Sequence, residues 1–454
     1  MKREALSHPL SIAGVVLATA SAVVFITLVI AELLGMIENP YAGLVIFIAI
    51  PAVFVAALVL IPAGVWLQRR SLARHPGAVA DWPVVDFRDV GVRRSALLIT
   101  ALTAVNIVIV LLAGYGGLHW MDSPQFCGQV CHTTMHPQFS AWSGGPHARI
   151  ACASCHIGEG ASGFIHAKLA GTRQLVHVLT SNVPTPVPPG AHLEAGTITQ
   201  TCSRCHQAVR SSGDRIRVIR EYAEDETNSE TVTVLQMHVG DAATPRAIHW
   251  HADPNVRVEY VATSGDRQTI PYVKVTDAKG QMKEYVATDA KQEEINGGVR
   301  RTMECGDCHS TIGHPIAPTP EKAVDQAIAA ARVSRDLPFA RREGVRLMKA
   351  SYTDESAAVS AIDRELRDFY KSHGGSVNPD ALARAVAAFQ DVYRRNVYAP
   401  MKVTFGSYPD NKGHVTANGC FRCHDDSHKA KDGSAIKADC DYCHTQIERP
   451  EAHP

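Results

Sequence analysis

The sequence predicts a membrane-anchored protein with three N-terminal transmembrane helices. These lead into a mostly α and irregular domain, packed around covalently held groups, with a small β insertion. Three observations carry that expectation. Apolar stretches occupy 11–37, 41–67 and 95–118, each long enough to cross a hydrocarbon core of about 30 Å as helix. All 12 cysteines of the 454-residue chain lie beyond the third stretch, in six pairs, each followed at once by histidine. After the third pair the composition turns β-branched, and after the fourth it turns helical.

The anchor's orientation follows from charge. Lys2 and Arg3 precede the first span, and Arg69, Arg70, Arg74, Arg88, Arg93 and Arg94 fill the loop between the second and third. The connection around Glu38 and Asn39 has no basic residue. The positive-inside rule then puts the N-terminus and the Arg-rich loop in the cytoplasm and everything from Trp120 onward on the opposite side. In a bacterial inner (cytoplasmic) membrane that side is the periplasm. No histidine lies within the three stretches, so the anchor lacks the axial pair that a transmembrane haem needs. The 45 basic and 45 acidic residues cancel, which argues against nucleic acid as a partner.

The cysteine pairs are Cys127/Cys131 before His132, Cys152/Cys155 before His156, Cys202/Cys205 before His206, Cys305/Cys308 before His309, Cys420/Cys423 before His424 and Cys440/Cys443 before His444. Five have the C-x-x-C-H spacing of c-type haem attachment, and the first, CGQVCH, has one more residue. In this motif the two thiols add to the haem vinyl groups and the adjacent histidine is held beneath the ring as iron ligand. Zinc sites do not require histidine after every second cysteine, and a disulfide framework ignores the histidines. The fold class is therefore a membrane-anchored multihaem cytochrome with six covalent haem c groups.

Four regions follow along the chain: an anchor at 1–120, a three-haem region at 121–210, a β-rich insertion at 211–300 and a helical region with the last three haems at 301–454. Within the insertion RIRVIREY, TVTVLQM, VRVEYVAT and IPYVKVT read as strands joined by hairpins. From 320 to 396, KAVDQAIAAARVSR, REGVRLMKASY, AAVSAIDRELRDFYKSH and PDALARAVAAFQDVYRR read as scaffold helices separated by Pro and Gly.

Sixteen histidines remain once six of the 22 are assigned beneath the rings. A low-spin electron-transfer haem takes a further histidine or methionine on its open face. The candidates beside the motifs are His136, His147, His249, His251, His314, His414 and His428, with Met135. His249-Trp250-His251, read as a strand, sets two histidines two positions apart, a pair that suits two different haems. No C-x-x-C-K variant is present, which favours electron transfer over catalysis at an open iron.

The stretch FCGQVCHTTMHPQFSAWSGGPHARIACASCHIG resembles the NapC/NirT family of membrane-anchored multihaem quinol dehydrogenases. GASGFIHAKLAGTRQ, EYAEDETNSE, IHWH, ECGDCH, YPDNKGH and GCFRCHDDSH resemble its larger inner-membrane branch, which feeds periplasmic and extracellular electron transfer. The resemblance implies oxidation of quinol from the membrane quinone pool at the first haem, with electrons passing to periplasmic cytochromes or reductases. It implies Met135 as a ligand of the first haem, with His136 as the alternative, and Lys168, with His166 and Arg173, at the quinol site. It also carries over His147, His249, His251, His314, His414 and His428 as distal ligands. If the first haem takes Met135, one of these six has no iron. The alternatives are an electron-transfer subunit of a larger respiratory complex and a terminal haem reductase.

Overall fold

The computed structural model describes residues 8–33, 36, 45–73, 87–130, 132–157, 160–188, 198–206, 213–240, 247–373 and 377–448. Cys131, Lys2, Arg3, Arg74, Glu38 and Asn39 lie outside these, as do the side chains of Arg69 and His132. Two compact units result, Met1–Cys131 and His132–Pro454.

In the first unit the apolar stretches become α1 (Pro9–Leu33), α2 (Ile50–Ala73), entered through a wide turn at Val45–Ala49, and α3 (Val90–Met121). Their membrane-competent parts are Pro9–Ala31, Val45–Gln68 and Thr100–Met121, of which only 22%, 17% and 11% is buried. A helix apolar all round that leaves most of its surface outward is built for lipid, not for a soluble core. Small residues set the contact between α1 and α2: a Cβ on Gly14 would lie 2.8 Å from the Ala57 carbonyl oxygen, and Ser11 Oγ donates to Ile61 O at 3.0 Å. Without a hydrophobic drive inside lipid, such close backbone approach supplies the packing energy. Asp89 caps α3 by accepting from Gly91 N at 2.6 Å, and Arg88, Arg93 and Arg94 are exposed at that end.

The second unit begins with short helices: α4 (His132–Ser143), α5 (Cys152–His156), α6 (Gly160–Leu179) and α7 (Ile198–Ser203). The β-branched region then forms the antiparallel hairpin β1 (Arg215–Tyr222) and β2 (Glu230–Met237). It continues into β3 (Arg257–Ala262), β4 (Tyr272–Thr276), β5 (Met282–Ala287), the single turn of α8 (Gln292–Gly297) and β6 (Val299–Thr302). The region does not close on itself. Both sheets are completed from the C-terminal tail, in the orders β1-β2-β8 and β6-β3-β4-β5-β7, by β7 (His428–Lys429) and β8 (His444–Glu448). The sequence IHWHA, expected as strand, is a 3₁₀ turn at Ile248–Ala252.

After α9 (Cys305–Cys308) come the scaffold helices α10 (Pro320–Ala329), α11 (Ala340–Lys349), α12 (Glu355–Ser372) and α13 (Pro379–Asn396). Thr319, Asp354 and Asn378 cap α10, α12 and α13, and Pro320 and Pro379 open α10 and α13 where no N–H partner is lost. Their apolar stripes meet around Val324, Leu347, Ile362, Leu366 and Phe389, all fully buried. Gly344 lets α11 approach Phe389, whose ring atom would sit 2.6 Å from an added Cβ. The β1–β2 turn is tied to this cluster by Asn228 at φ 50°. Its Nδ2 donates to Arg335 O and Leu337 O, both at 2.9 Å, and its Oδ1 accepts from Arg341 N at 2.9 Å.

Truncating Phe389 to alanine opens a cavity in this cluster, at a cost of about 3–5 kcal/mol. Chemical denaturation followed by far-UV circular dichroism will show that loss, with the covalent haem content of the folded protein unchanged.

Candidate metal centres

Each described motif with C-x-x-C-H spacing sits on a tight turn. In three of them the histidine N–H donates to the carbonyl of the first cysteine: His206 to Cys202 at 2.8 Å, His309 to Cys305 at 2.8 Å and His424 to Cys420 at 3.0 Å. One helical turn thereby gathers two sulfurs and an imidazole on one side of the backbone. No disulfide joins the eleven described cysteines.

Opposite each of these five imidazoles stands a second one. His156 faces His314 with ring centres 6.0 Å apart, His206 faces His147 at 6.1 Å, His309 faces His249 at 6.5 Å, His424 faces His251 at 5.9 Å and His444 faces His414 at 6.2 Å. These gaps are wider than the 4.6 Å between the stacked rings of His136 and Tyr398. Two imidazoles bound to opposite faces of one metal, with bonds of about 2 Å, have ring centres roughly 6 Å apart.

The environment favours neutral rings. Burial, with His156 adding to it, pushes His314 down to about 4. Burial also lowers His249, His251, His309 and His444. A neutral imidazole is the form that binds metal. His424 Nδ1 donates to Lys437 O and His251 Nδ1 to Ile248 O, both at 2.9 Å, which in the neutral ring leaves the lone pair on Nε2. His249 Nδ1 and His444 Nδ1 are buried with no hydrogen-bond partner.

The centres adjoin one another in chain order. Burial raises the Cys155 thiol, and the thiols of Cys152 and Cys205 add to that rise. The Cys202 thiol is held up first by a hydrogen bond with Cys305, and the Cys443 thiol first by one with Cys420. Burial pushes the Cys308 thiol up to about 11, with Cys420 adding to it. The one turn at Ile248–Ala252 supplies a partner to both His309 and His424, because residues two apart on a 3₁₀ turn diverge.

A curated relative, the cytochrome c-type protein ImcH of Geobacter sulfurreducens, is 34% identical over 450 residues, spanning 97% of this chain and 88% of its own. The chain belongs to the ImcH family of cytochrome c-type proteins. No family model matches the chain, and no solved structure does. As a member of a cytochrome c-type family it is an electron-transfer protein, and haem c is the group its residues must suit. They suit it: paired thiols lie beside one imidazole, and a second imidazole stands at the distance a bridging iron sets.

Other sequence candidates stand elsewhere. His428 is 2% exposed and spends both ring nitrogens on the protein, Nδ1 with Asp425 Oδ1 at 2.9 Å and Nε2 with Ile270 O at 2.7 Å. His136 stacks on Tyr398, with ring centres 4.6 Å apart, and lies 3.7 Å from Glu355. Met135 is half-buried on α4. Lys168, His166 and Arg173 share α6, whose exposed apolar residues Ile165, Leu169 and Val176 fall three or four residues apart or multiples of that. Cys127 Sγ lies 3.9 Å from Met121 O at the end of α3.

Sequence reasoning did not find the buried charges between motifs four and five. Asp307 and Arg422 fill variable positions of C-x-x-C-H, where no pattern signals that they meet.

Replacing His314 by alanine leaves one haem with five ligands and a high-spin optical signature, whereas His428→Ala leaves the haem spectrum as it was and costs about 2–3 kcal/mol of stability. Low-temperature electron paramagnetic resonance of the oxidised protein resolves two classes of centre. His147/His206 and His251/His424 cross at 88° and 76° and give strongly anisotropic signals, while His156/His314 and His414/His444, at 29° and 19°, give rhombic ones.

Proposed function

We propose that the protein is a six-haem membrane quinol dehydrogenase of the NapC/NirT type, which oxidises membrane quinol and passes electrons to periplasmic cytochromes or reductases. The observation that carries this reading lies in the anchor. Between α1, α2 and α3 is a cavity of about 520 Å³ lined by Phe25, Phe47, Phe54, Ile109 and Ala113 among others. From it a row of rings runs upward: Phe25 to Phe47 at 6.4 Å, Phe47 to Trp120 at 6.4 Å and Trp120 to Phe126 at 4.7 Å. Phe126 immediately precedes Cys127. An apolar space of this size suits part of a lipid-soluble ring and tail, and the row of rings ends at the first attachment motif.

Covalent haem c supplies iron centres that take up and release one electron each. Six such groups would be held by the protein's own residues: by the cysteine pairs together with His132, His156, His206, His309, His424 and His444, and for the second to the sixth also by His314, His147, His249, His251 and His414. For the first, Met135 is the favoured sixth ligand, since His136 is engaged with Tyr398 and Glu355. His428 then carries no iron. Quinol gives up two electrons and two protons, and the protons leave on the periplasmic side with the help of a base at Lys168 or His166, with Arg173 as a nearby fixed cation. The apolar stripe beside these cations suits a helix lying at a lipid surface. Electrons depart from motif six, where Cys440 is exposed.

Mixing the oxidised protein in detergent with a reduced quinol analogue under anaerobic conditions tests the reading. Rapid reduction of the haem bands is expected, slowed at least tenfold by Lys168→Ala and by Ala113→Phe, which fills the cavity. No reduction by quinols of high or low potential, while dithionite reduces every haem, would overturn the dehydrogenase reading in favour of a subunit fed by another donor.

A further inference from the structure

Between motifs four and five lies a buried group of charges that holds no iron. Asp307 stands between Cys305 and Cys308, and Arg422 between Cys420 and Cys423; they are 4% and 7% exposed. Asp307 Oδ1 accepts from Tyr260 Oη and from Arg267 Nη1, both at 2.6 Å, and Oδ2 accepts from Glu304 N at 2.8 Å. Its charge is thus offset by Arg267. The Arg422 guanidinium reaches three backbone carbonyls, Gly419 O and Asp307 O at 2.8 Å and Arg267 O at 3.2 Å. Asn411 also donates to Asp307 O, at 3.2 Å. Two guanidinium groups and one carboxylate leave one positive charge in a dry space between two attachment turns.

A buried cation is costly, and carbonyl dipoles repay that cost only in part. If the task were only to hold two turns together, an apolar side chain of similar volume would serve about as well. A fixed positive charge beside an iron centre does something an apolar group cannot: it favours the reduced, less positive state. The turn that carries Arg422 is itself built for its place. Gly419 has φ 50°, and an added Cβ there would collide with the Gly413 carbonyl.

We propose that Arg422 is a positioning residue that locks the attachment turns of motifs four and five against each other and, through its buried charge, holds the potentials of both their haems up. Asp307 opposes it, so the pair sets the level of the middle of the chain. The inference needs haem at these two motifs and is indifferent to which donor reduces them.

Spectroelectrochemical titration of the full-length protein in detergent, with covalent haem counted by mass, reads the effect. Arg422→Met is expected to shift two of the midpoint potentials downward, changing the reduced-to-oxidised ratio of those haems at fixed potential by roughly tenfold. Asp307→Asn shifts the same two upward. Arg422→Lys restores them to within about twofold of the starting ratio, and Tyr260→Phe, which removes a hydrogen bond but no charge, lowers stability and leaves the potentials in place. Opposite shifts from the first two variants are the signature that a purely structural clamp lacks. Shifts of the same sign, or none in either, would overturn the proposal. Should Arg422→Met fail to load haem, Asp307→Asn decides alone: an upward shift of two potentials supports the charge role, and unchanged potentials sink it.

Discussion

The second unit is organised by one recurring geometry, an imidazole on a tight cysteine turn facing another imidazole across the width of a single metal. Five such pairs span 5.9–6.5 Å between ring centres. His147 comes from the loop after α4 to meet motif three, while His314, beyond motif four, returns to motif two. Each pairing brings together segments that local preference would leave apart, so an iron bound there would cross-link the fold much as a structural metal does.

Two larger apolar cores support the segments that carry these centres. The scaffold of α10 to α13 buries Val324, Leu347, Ile362, Leu366 and Phe389 without any cysteine, and the larger sheet buries Val258, Tyr260 and Val273. Asn228 fastens the β1–β2 turn to the helical core through three hydrogen bonds. The last two motifs are held by strands: β7 adds to the larger sheet just after motif five, and β8 begins at His444 itself. Sheet hydrogen bonding thereby does for the tail what helix packing does for the middle of the chain.

Electrostatics follows the same division. Exposed ion pairs decorate the scaffold helices, as between Arg332 and Asp391, where water weakens them. The pairs that matter for the centres are the buried ones, Arg267 with Asp307 above all, because a charge removed from water acts on its neighbours at far lower effective dielectric. Burial also lowers His249, His251, His309, His314 and His444, which favours the neutral form in which an imidazole binds metal.

Much of this was legible in the chain itself. Membrane-crossing helices need only length and apolarity, so three spans could be read directly, and the spacing of cysteine and histidine in each motif is a local pattern that the sequence displays without any structure. The four scaffold helices were legible in the same local way, from helical patterns broken by Pro and Gly. Which histidine lies opposite which motif could not be read, because that depends on contacts between residues separated by tens or hundreds of positions. The same holds for the two hydrogen bonds that His428 makes, with Asp425 and with Ile270 O. It holds for the strands that the tail lends to both sheets, and for the meeting of Arg422 with Asp307. Local chemistry is written in sequence neighbours; the pairing of centres and the placing of buried charge are decided only when distant segments compete for the same space.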